Sequence, residues 1–582
     1  MIRRPERAAP AGSAEPAGSQ GPASSRMPAG TAGLIAAGAS VACTFAVAVA
    51  GPSVMEPVLP GRPGPPPWSA GLHPSPYLAV GLTGAGLAAG TLGLVLALRA
   101  VRGGWSVPAR AVLVAGLLAA AALTLVPPFG SSDHLSYAAY GRMLVTGHNP
   151  YTTTPAQLAA LGDPVARAVQ DWSGAPSVYG PLATAIQALA SLAGGTSVRL
   201  TVFVLGLANL AAFAGTALLL HRMTRRHPAW QLRAALLWAA NPLLLQVLVA
   251  GAHLDSQAVV FGVAAVAVMS GARDGSAGRA ALAGVLVGLG FAVKVTIALV
   301  GLGLAIAMIL RLRRQGQHLW RRLWRCPALA GLGVGFTVTA ATAVAIGGSA
   351  MLRQSSQASD MVSIGSPWRV IRAVIHLAVA GTAATDIVKA GAAALAVLLA
   401  VLLIRGQPGW QARRELGADA GPDQARYAAV VFALALAWLF AWPYVLPWYD
   451  ALGWALLPLV PLGAGGTGTA LDGAGGLGWL LLARTAALGF GYLPARQTDA
   501  ALPAGLGWLQ PVIRHAVTPA VLAAATVWLV VLMVPRGVHP GRPRRAAGQL
   551  PSAPSPGLPA GVRPEAGQRA PAGEGPARGA ER

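Results

Sequence analysis

Charged residues are scarce in this sequence of 582 residues: they make up 11% of it, against about 25% in soluble proteins. Hydrophobic residues make up 54% and come in runs of roughly 20, the length that crosses about 30 Å of hydrocarbon. The alternating segments of about ten residues that a membrane β-barrel needs do not occur. The composition therefore predicts an all-α polytopic membrane protein of about 12–14 transmembrane helices, with a large first outer loop containing interfacial helices.

Cysteine and lysine are also rare. Cys43 and Cys326 are far apart in the sequence, so they predict no disulfide framework or metal cluster. Lys294 and Lys389 are the only lysines. The sequence has no Walker loop, no Rossmann glycine pattern after a strand and no zinc-ligand spacing such as HExxH. A soluble nucleotide-linked substrate therefore has no evident site, and we expect a lipid substrate that enters from the bilayer.

The net charge of +24 comes from arginines in the tails and in alternate short loops. This is the positive-inside pattern, so membrane topology accounts for the charge better than binding to nucleic acid does. We expect a plasma-membrane protein with a disordered cytoplasmic tail at 1–30 and a disordered, basic cytoplasmic tail at 536–582. The transmembrane domain is predicted at 31–535, with the active site on the outer face in the loop 129–198.

The predicted spans are 31–51, 77–99, 108–128, 199–220, 230–250, 256–271, 280–292, 295–311, 327–347, 384–404, 427–446, 449–462, 476–493 and 517–535. The segment 179–195 is also apolar, but a crossing there would invert every later loop. We therefore expect it to lie along the outer interface. The loop then holds predicted helices at 133–146, 155–170 and 181–192.

The outer loop begins with a concentration of polar and aromatic side chains. Asp133 follows two serines, so capping of a helix is an alternative role for it. A cap does not require a histidine and two tyrosines beside it, at spacings that keep the tyrosines near one helix face. We predict Asp133 as the catalytic residue. The predicted substrate-binding residues of this loop are His134, Tyr137, Tyr140, Arg142, Asn149, Tyr151 and Tyr179.

Three further candidates fall at or near the same face. His253 and Asp255 lie in a tight turn between two spans, where Asp255 either caps the next helix or binds substrate. Lys294 lies in a break between two short helices. It either snorkels to the interface or has a function, as cations inside membranes tend to have.

The second half of the chain adds five candidates. Arg369 and Arg372 lie in another outer segment. Trp448 and Tyr449 belong either to the aromatic belt of the membrane or to the site. Arg484, inside a predicted span, pairs either with a carboxylate in the bundle or with an anionic lipid headgroup.

These features together resemble a known family. An acid in the first large outer loop, the run Tyr179-Gly180-Pro181-Leu182 and a second outer acid are similar to the GT-C superfamily of integral-membrane glycosyltransferases. The runs SSDHLSYAAYGRMLVTGHNPY, PSVYGPL, NPLLLQVLVAGAHLDS, GFAVKVT and WPYVLPWYD resemble the actinobacterial polyprenol-phosphomannose-dependent α-1,6-mannosyltransferases. The resemblance covers about 110–460. Gly180 stands where many relatives have proline, and we expect little effect because Pro181 is kept.

The resemblance implies a polyprenyl-phosphate-mannose donor and a mannan or glycolipid acceptor, with elongation of α-1,6-mannan or lipomannan at the outer face. A single inverting displacement needs one base, which we predict to be Asp133. The leaving phosphate needs cations, for which the candidates are Lys294, Arg484, Arg369 and Arg372 in that order. His253 and Asp255 either orient sugar hydroxyls or hold a divalent cation with Asp133, although the mechanism requires no metal.

Two other classes of protein remain open. A transporter or flippase of lipid-linked sugars would place its polar residues near the bilayer midplane and show two similar halves. Another transferase or ligase of lipid-linked glycans would share the chemistry of the outer face.

Overall fold

The computed structural model describes residues 27–61, 64–270, 276–314, 319–379, 381–406, 422–460, 476–495 and 502–534. In these ranges the chain is built of helices and short turns without a β-strand, and two residues form an isolated bridge. The predicted tail at 536–582, and all but the last four residues of the predicted tail at 1–30, lie outside the described residues. The all-α fold class is confirmed.

The α-helices are α1 (Ala29–Ala50), α2 (Pro76–Arg102), α3 (Ala109–Thr124), α4 (Asp133–Val145), α5 (Pro155–Ala160), α6 (Pro164–Arg167), α7 (Pro181–Gly194), α8 (Val198–Met223), α9 (Pro228–Ala234), α10 (Pro242–Leu244), α11 (Asp255–Ser270), α12 (Ala277–Phe291), α13 (Ala298–Arg314), α14 (Leu319–Trp324), α15 (Pro327–Ala358), α16 (Pro367–Ile375), α17 (Ala383–Arg405), α18 (Pro422–Ala441), α19 (Ala451–Leu456), α20 (Leu477–Gly491) and α21 (Thr518–Met533). Segments of π-helix are Ala235–Ala239, Leu245–Ala250 and Leu509–Val517. Single 3₁₀ turns are Val295–Ile297, Pro447–Asp450, Leu457–Leu459 and Ala504–Leu506.

Many helices begin at proline, whose fixed φ and missing N–H suit the first helical position. In the loop 129–198, Thr154 and Gln157 form a reciprocal capping box at the start of α5. Asp163 caps α6 by accepting from the N–H groups of Val165 and Ala166. These local signals account for the folding of the loop into short helices.

Eight helical segments among the described residues are long and apolar enough to cross a membrane. They are Ala29–Ala50, Pro76–Arg102, Val198–Met223, Pro228–Ala250, Val295–Arg313, Pro327–Ala358, Ala383–Arg405 and Ala504–Met533. Shorter apolar helices are Ala109–Thr124, Pro181–Gly194, Asp255–Ser270, Ala277–Phe291, Arg426–Ala441 and Leu477–Gly491. The protein is a multi-pass membrane protein, and the count of 12–14 spans stays a prediction.

Several predicted elements differ from the structure. Within the described residues, the predicted span 449–462 consists of the 3₁₀ turn at Pro447–Asp450, the short α19 and a second 3₁₀ turn that contains Pro458. Proline has no N–H to donate and interrupts helix growth there. That this segment crosses the membrane stays a prediction. The predicted loop helix 155–170 is two helices, α5 and α6, separated at Gly162, which has a positive φ of 93°. The other two loop helices are confirmed as helices, while their position at an interface stays a prediction.

Two backbone hydrogen bonds join the loop 129–198 to the chain between α12 and α13. The N–H of Gly180 donates to the carbonyl of Val293 (3.1 Å), and the N–H of Leu182 donates to that of Ala292 (2.9 Å). A Cβ on Gly180 would lie 2.2 Å from the Ala292 oxygen, so this approach requires glycine. Proline at 180 would also lose the first hydrogen bond. Gly180 therefore holds the start of α7 against the chain break at Lys294.

Candidate functional site

Two cavities meet at Asp133. The apolar cavity has a volume of about 700 Å³, and its lining includes Tyr137, Tyr179, Lys294 and Tyr449. The arginine cavity has a volume of about 650 Å³, and its lining includes Asp171, Arg372 and Arg514. Both linings contain Asp133, Trp172, Met361, Tyr444, Leu446 and Trp448. A group bound in either cavity can therefore reach the same carboxylate.

Asp133 is the first residue of α4, and its side chain is 16% exposed. Ser132 occupies the capping position and makes no side-chain capping bond. The backbone N–H of Asp133, at the start of the helix, donates to Ser131 Oγ (3.1 Å). The hydroxyl of Ser131 therefore accepts a hydrogen bond from this first turn. The Asp133 carboxylate thus lines the cavities and does not serve as a helix cap.

Burial raises the pKa of Asp133 from 3.8 to about 6. The Ser131 hydroxyl and the Lys294 charge lower this pKa, whereas the charges of Asp171 and Asp255 raise it. At neutral pH most of the Asp133 carboxyl is still ionised, and it binds a proton more readily than an exposed aspartate does. The residue is suited to act as a general base.

His253 lies beside Asp133 and is held by aromatic packing. Its Nδ1 is 3.6 Å from Asp133 Oδ2, and its ring stacks on Trp448 with centroids 3.5 Å apart. Burial, the Lys294 charge and His134 lower the pKa of His253 well below its usual value. His253 is therefore neutral, and it adds no positive charge beside Asp133.

Lys294 lies in the break that follows α12 and enters the apolar cavity. Its Nζ donates to Asp255 Oδ1 at 2.6 Å and lies 3.8 Å from the centroid of the Tyr449 ring. The Lys294 side chain is only 12% exposed. Of the alternatives for Lys294, the structure shows a paired cation at a cavity wall and not a chain reaching out through lipid.

A cluster of tyrosines lines the apolar cavity beside Asp133. Tyr137 and Tyr179 pack edge to face with centroids 5.3 Å apart, and the Tyr179 hydroxyl donates to that of Tyr137 (3.4 Å). The Tyr140 hydroxyl donates to the carbonyl of Ala175 (2.9 Å). Burial raises the pKa of all three phenols, so they stay protonated. They place neutral hydrogen-bonding groups and aromatic rings on the lining of the apolar cavity.

The segment 171–175 was not predicted from the sequence, and it binds along one face of α4. Ser132 Oγ donates to Asp171 Oδ2, Ser136 Oγ donates to the Asp171 carbonyl (3.3 Å), and Tyr140 makes the third bond. The spacing of four residues puts these donors on one side of the helix. Trp172 follows in a left-handed backbone conformation (φ 62°), is 45% exposed and lines both cavities.

Four predicted loop residues lie away from both cavity linings. His134 is fully buried, and burial lowers its pKa to about 3. Arg142 Nε pairs with Asp163 Oδ2 at 2.7 Å. Asn149 accepts from the N–H of Tyr151 (2.9 Å), and the Tyr151 hydroxyl bonds a threonine hydroxyl of α7 (3.1 Å). These side chains support the loop around the site.

The three arginines predicted to bind substrate in the second half of the chain lie in different surroundings. Arg372 lines the arginine cavity, whereas Arg369 belongs to neither cavity lining. Arg484 is 2% exposed, and its Nε donates to Asp450 Oδ1 at 2.8 Å. Thr485 donates to the other oxygen of Asp450 (2.6 Å). Of the two alternatives for Arg484, the structure shows the one in which it pairs with a carboxylate inside the bundle.

Metal-ligand clusters of three or more His, Cys, Asp or Glu residues do not occur in the described part of the chain. The Asp255 carboxylate, one of the groups considered for a cation, bonds Lys294 instead. The arrangement thus offers one base, one paired cation and a set of aromatic walls.

The sequence analysis also missed an arginine and a tyrosine that contact each other on a cavity wall. Arg514 and Tyr492 line the arginine cavity, with the guanidinium 4.6 Å from the ring centroid. Arg514 precedes a predicted span, where an arginine is an ordinary flanking residue. Arg514 differs from such a flanking residue in being only 6% exposed, and this burial can be seen only in the structure.

Part of this chain is similar to known proteins. Residues 31–311 match the family model described as alpha-(1->6)-mannopyranosyltransferase, N-terminal domain. Alpha-(1->6)-mannopyranosyltransferase B of Corynebacterium glutamicum is 30% identical over 187 residues, which are 30% of this chain and 31% of that protein. An alpha-(1->6)-mannopyranosyltransferase of Mycobacterium tuberculosis is 32% identical over 139 residues, 23% of each chain. The matched stretch is less than a third of the length of either relative.

Among solved structures, that of ArnT from Cupriavidus metallidurans bound to undecaprenyl phosphate is similar with a TM-score of 0.35 and 16% identity. The similarity covers 69% of this chain and 71% of that chain.

The family match includes Asp133, Asp255 and Lys294, and it confirms the resemblance found in the sequence. Over residues 31–311 the chain resembles the α-(1→6)-mannopyranosyltransferases.

Proposed function

We propose that the protein is a glycosyltransferase that moves a mannosyl residue from polyprenyl-phosphate-mannose to a glycan or glycolipid acceptor. The product is an α-1,6-linked mannan or lipomannan chain, and the reaction takes place at the outer face of the plasma membrane. The observation that carries the proposal is the position of Asp133, where an apolar cavity and a polar cavity meet. The resemblance over residues 31–311 supports the reaction class.

Asp133 acts as the general base in a single displacement. The acceptor hydroxyl attacks the anomeric carbon of mannose, and the Asp133 carboxylate takes the hydroxyl proton as the new C–O bond forms. The bond from the anomeric carbon to the phosphate oxygen breaks on the opposite face, which inverts the configuration. A lipid phosphate already leaves readily, so the step needs no acid.

Lys294 stabilises the charge that develops on the leaving phosphate. Its ammonium is buried between Asp255 and the Tyr449 ring, where a fixed charge acts more strongly than in water. Asp255 holds the ammonium in place before substrate binds. Arg372 is a second cation, on the lining of the arginine cavity.

The apolar cavity is suited to the lipid donor. Its lining includes Val295 and Leu302, whose aliphatic side chains are 47% and 52% exposed. A lipid chain packed against these side chains would bring its phosphate toward Lys294, which lines the same cavity. The tyrosine hydroxyls and the Trp448 ring then face the sugar, and stacking and hydrogen bonds orient it.

The proposal is tested with purified protein, labelled polyprenyl-phosphate-mannose and a short mannoside acceptor, followed by linkage analysis of the product. We expect an elongated α-1,6-linked mannoside whose formation requires the lipid-linked donor. A flippase of lipid-linked sugars is the rival function. Movement of the labelled lipid across vesicle membranes, without any elongated product, would favour the flippase and contradict the proposal.

A further inference from the structure

A strained turn carries His253 to the Asp133 carboxylate. Ala252, the residue before His253, has a left-handed backbone conformation (φ 52°), which residues other than glycine seldom adopt. Such strain persists only where the surrounding structure enforces it, and it is concentrated at functional sites. The contacts that enforce this turn therefore bear on the predicted base.

Two buried amide side chains hold the turn. Asn209, on α8, donates from Nδ2 to the Ala252 carbonyl (2.8 Å). Gln257, in the first turn of α11, donates from Nε2 to Asn209 Oδ1 (2.7 Å). Asn209 is buried in a helix long and apolar enough to cross a membrane, where polar side chains are costly and tend to be functional. Neither amide lies on the lining of the apolar or the arginine cavity, so contact with substrate does not account for them.

The His253 ring is confined by its neighbours. It stacks on Trp448 with an angle of 13° between the two planes. A Cβ on Gly251 would lie 2.6 Å from His253 Cδ2, so the ring also packs directly on the Gly251 backbone. Its Nδ1 is buried, lies 3.6 Å from Asp133 Oδ2 and has no hydrogen-bond partner in the part of the chain that the structure describes. The Asp133 carboxylate is thus the acceptor within reach of Nδ1.

The charge of Asp133 decides which ring nitrogen of the neutral His253 carries the proton. The tautomer of a histidine is set by the partners of its ring nitrogens. A proton on Nδ1 is attracted by the carboxylate, whereas a lone pair on Nδ1 would be repelled by it. A small approach of the two groups then gives a hydrogen bond from Nδ1–H to Oδ2, and Oδ1 is left to take the proton of the acceptor hydroxyl.

We infer that His253, Asn209 and Gln257 are positioning residues for the base. The two amides hold the strained turn, the turn holds the His253 ring, and Nδ1–H of His253 fixes the orientation of the Asp133 carboxylate. His253 is thereby assigned to the carboxylate and not to a sugar hydroxyl or a divalent cation. The inference rests on the proposed function and adds to it the residues that aim the base.

The first test is the pH dependence of mannosyl transfer by the purified full-length enzyme. A hydrogen bond to the ionised carboxylate lowers its pKa, so loss of the bond should raise the pKa of Asp133. We expect His253→Leu and Asn209→Leu to move the acid limb of kcat/KM to higher pH by about 0.5–1 unit, the size of one hydrogen bond. The plateau of kcat should fall by about 10- to 100-fold, with the KM for the donor unchanged. His253→Asn, which keeps an N–H group near the position of Nδ1, should retain part of the rate.

A control on the same helix separates positioning from the loss of any buried polar group. Thr216→Val removes a buried hydroxyl of α8 that donates to the Ala212 carbonyl of the same helix (3.0 Å). It should keep the wild-type kcat and acid limb. The charged groups that face Asp133 keep their charges in all of these variants, and they are Asp171, Lys294 and Asp255.

Two further variants test whether the amides act through His253. The double variant Asn209→Leu/His253→Leu should transfer no more slowly than His253→Leu alone, because residues that act as one unit are not additive. Gln257→Met leaves the bond from Asn209 to Ala252 in place, so it should shift the acid limb in the same direction by a smaller amount. It also covers the case in which Asn209→Leu fails to fold.

The second test does not depend on transfer. The ring-nitrogen NMR signals of ¹⁵N-histidine-labelled protein in detergent report which nitrogen carries the proton, and the signals lost in His253→Asn identify His253. We expect a protonated Nδ1 and an unprotonated Nε2 at neutral pH, and we expect Asp133→Asn to abolish this preference.

Three results would overturn the inference. The first is a proton on Nε2 of His253 in the wild type. The second is a kcat and an acid limb of both Asn209→Leu and Gln257→Met that match those of Thr216→Val. The third is full additivity in the double variant, since independent structural losses would multiply. If the wild type elongates no acceptor, the proposed function fails, and the NMR measurement still decides whether His253 is oriented toward Asp133.

Discussion

Asp133 Oδ2 lies 3.6 Å from Nδ1 of His253, yet the two groups do not form an ion pair. His253 is buried against Trp448 and stays neutral because burial and the Lys294 charge oppose its protonation. Asp133 therefore has no cation at this contact, and burial raises its pKa to about 6. The turn at 251–254 thus places a neutral histidine, and not a cation, beside Asp133, so this contact adds no positive charge that would lower the Asp133 pKa.

The first prediction concerns the pH dependence of transfer. A base must be deprotonated, so kcat/KM should be constant above the Asp133 pKa and fall tenfold per pH unit as pH drops below about 6. The charge of Asp171 raises this pKa, so Asp171→Asn should move the acid limb to lower pH. The Ser131 hydroxyl lowers it, so Ser131→Ala should move the limb to higher pH. Shifts in the same direction in both variants would contradict the account.

The second prediction concerns Lys294. Lys294→Met removes the cation at the leaving phosphate, and we expect kcat to fall by about 10²- to 10³-fold. Asp255→Asn keeps an acceptor oxygen but removes the negative charge that lies 2.6 Å from the ammonium, so a smaller loss is expected. Single-turnover rates with saturating donor measure both effects. Lys389→Met, a change of a partly exposed lysine outside both cavity linings, is the control for loss of a lysine. A kcat for Lys294→Met close to that of the control would exclude Lys294 from the reaction.

The third prediction separates structural from catalytic arginines. Arg484→Met leaves the Asp450 carboxylate buried without its cation, which should lower the free energy of unfolding by about 3–5 kcal/mol. The double variant Asp450→Asn/Arg484→Met should recover part of the loss because no charge remains. Thermal unfolding in detergent gives the order of stability, with exposed Arg405→Met as control. A single variant as stable as wild type, but inactive, would instead place Arg484 in the reaction.

The fourth prediction concerns the approach of α7 to the break at Lys294. A methyl group at Gly180 would meet the Ala292 carbonyl at 2.2 Å, so Gly180→Ala should displace the start of α7 from the chain break at Lys294 and reduce kcat/KM. Gly81→Ala is the matched control, because a Cβ at Gly81 meets nothing within 4 Å. Equal activity of the two variants would show that the helix start adjusts without affecting the site.

The sequence was enough to predict the helical membrane fold, because repeated apolar runs of about 20 residues are the length that spans a bilayer. It also predicted that Asp133 begins a helix and that Asp255 and Lys294 lie near it, since charges beside a bilayer are costly and usually functional. The predicted span 449–462 is less regular in the structure than expected, because apolar composition alone does not show that the helix changes to a 3₁₀ turn at Pro458. Gly180 was expected to be interchangeable with proline, which its contact with Ala292 argues against.

Other parts of the site depend on contacts that no local pattern contains. Asp171 reaches Ser132 across 39 residues, and Trp172 looks like an ordinary loop residue until its place between the cavities is known. Arg484 and Arg514 look alike in sequence, as arginines in or beside apolar runs. The structure separates them, because one meets Asp450 and the other faces a cavity.

The most direct test of the central claim is the rate of mannosyl transfer by Asp133→Asn, in membranes supplied with polyprenyl-phosphate-mannose and an acceptor. The amide cannot take the hydroxyl proton, so we expect the rate to fall by about 10²- to 10⁴-fold while expression and folding stay normal. Asp386→Asn, an exposed change of the same type on α17, should transfer at the wild-type rate. A rate for Asp133→Asn close to that of Asp386→Asn would contradict the assignment of Asp133 as the base.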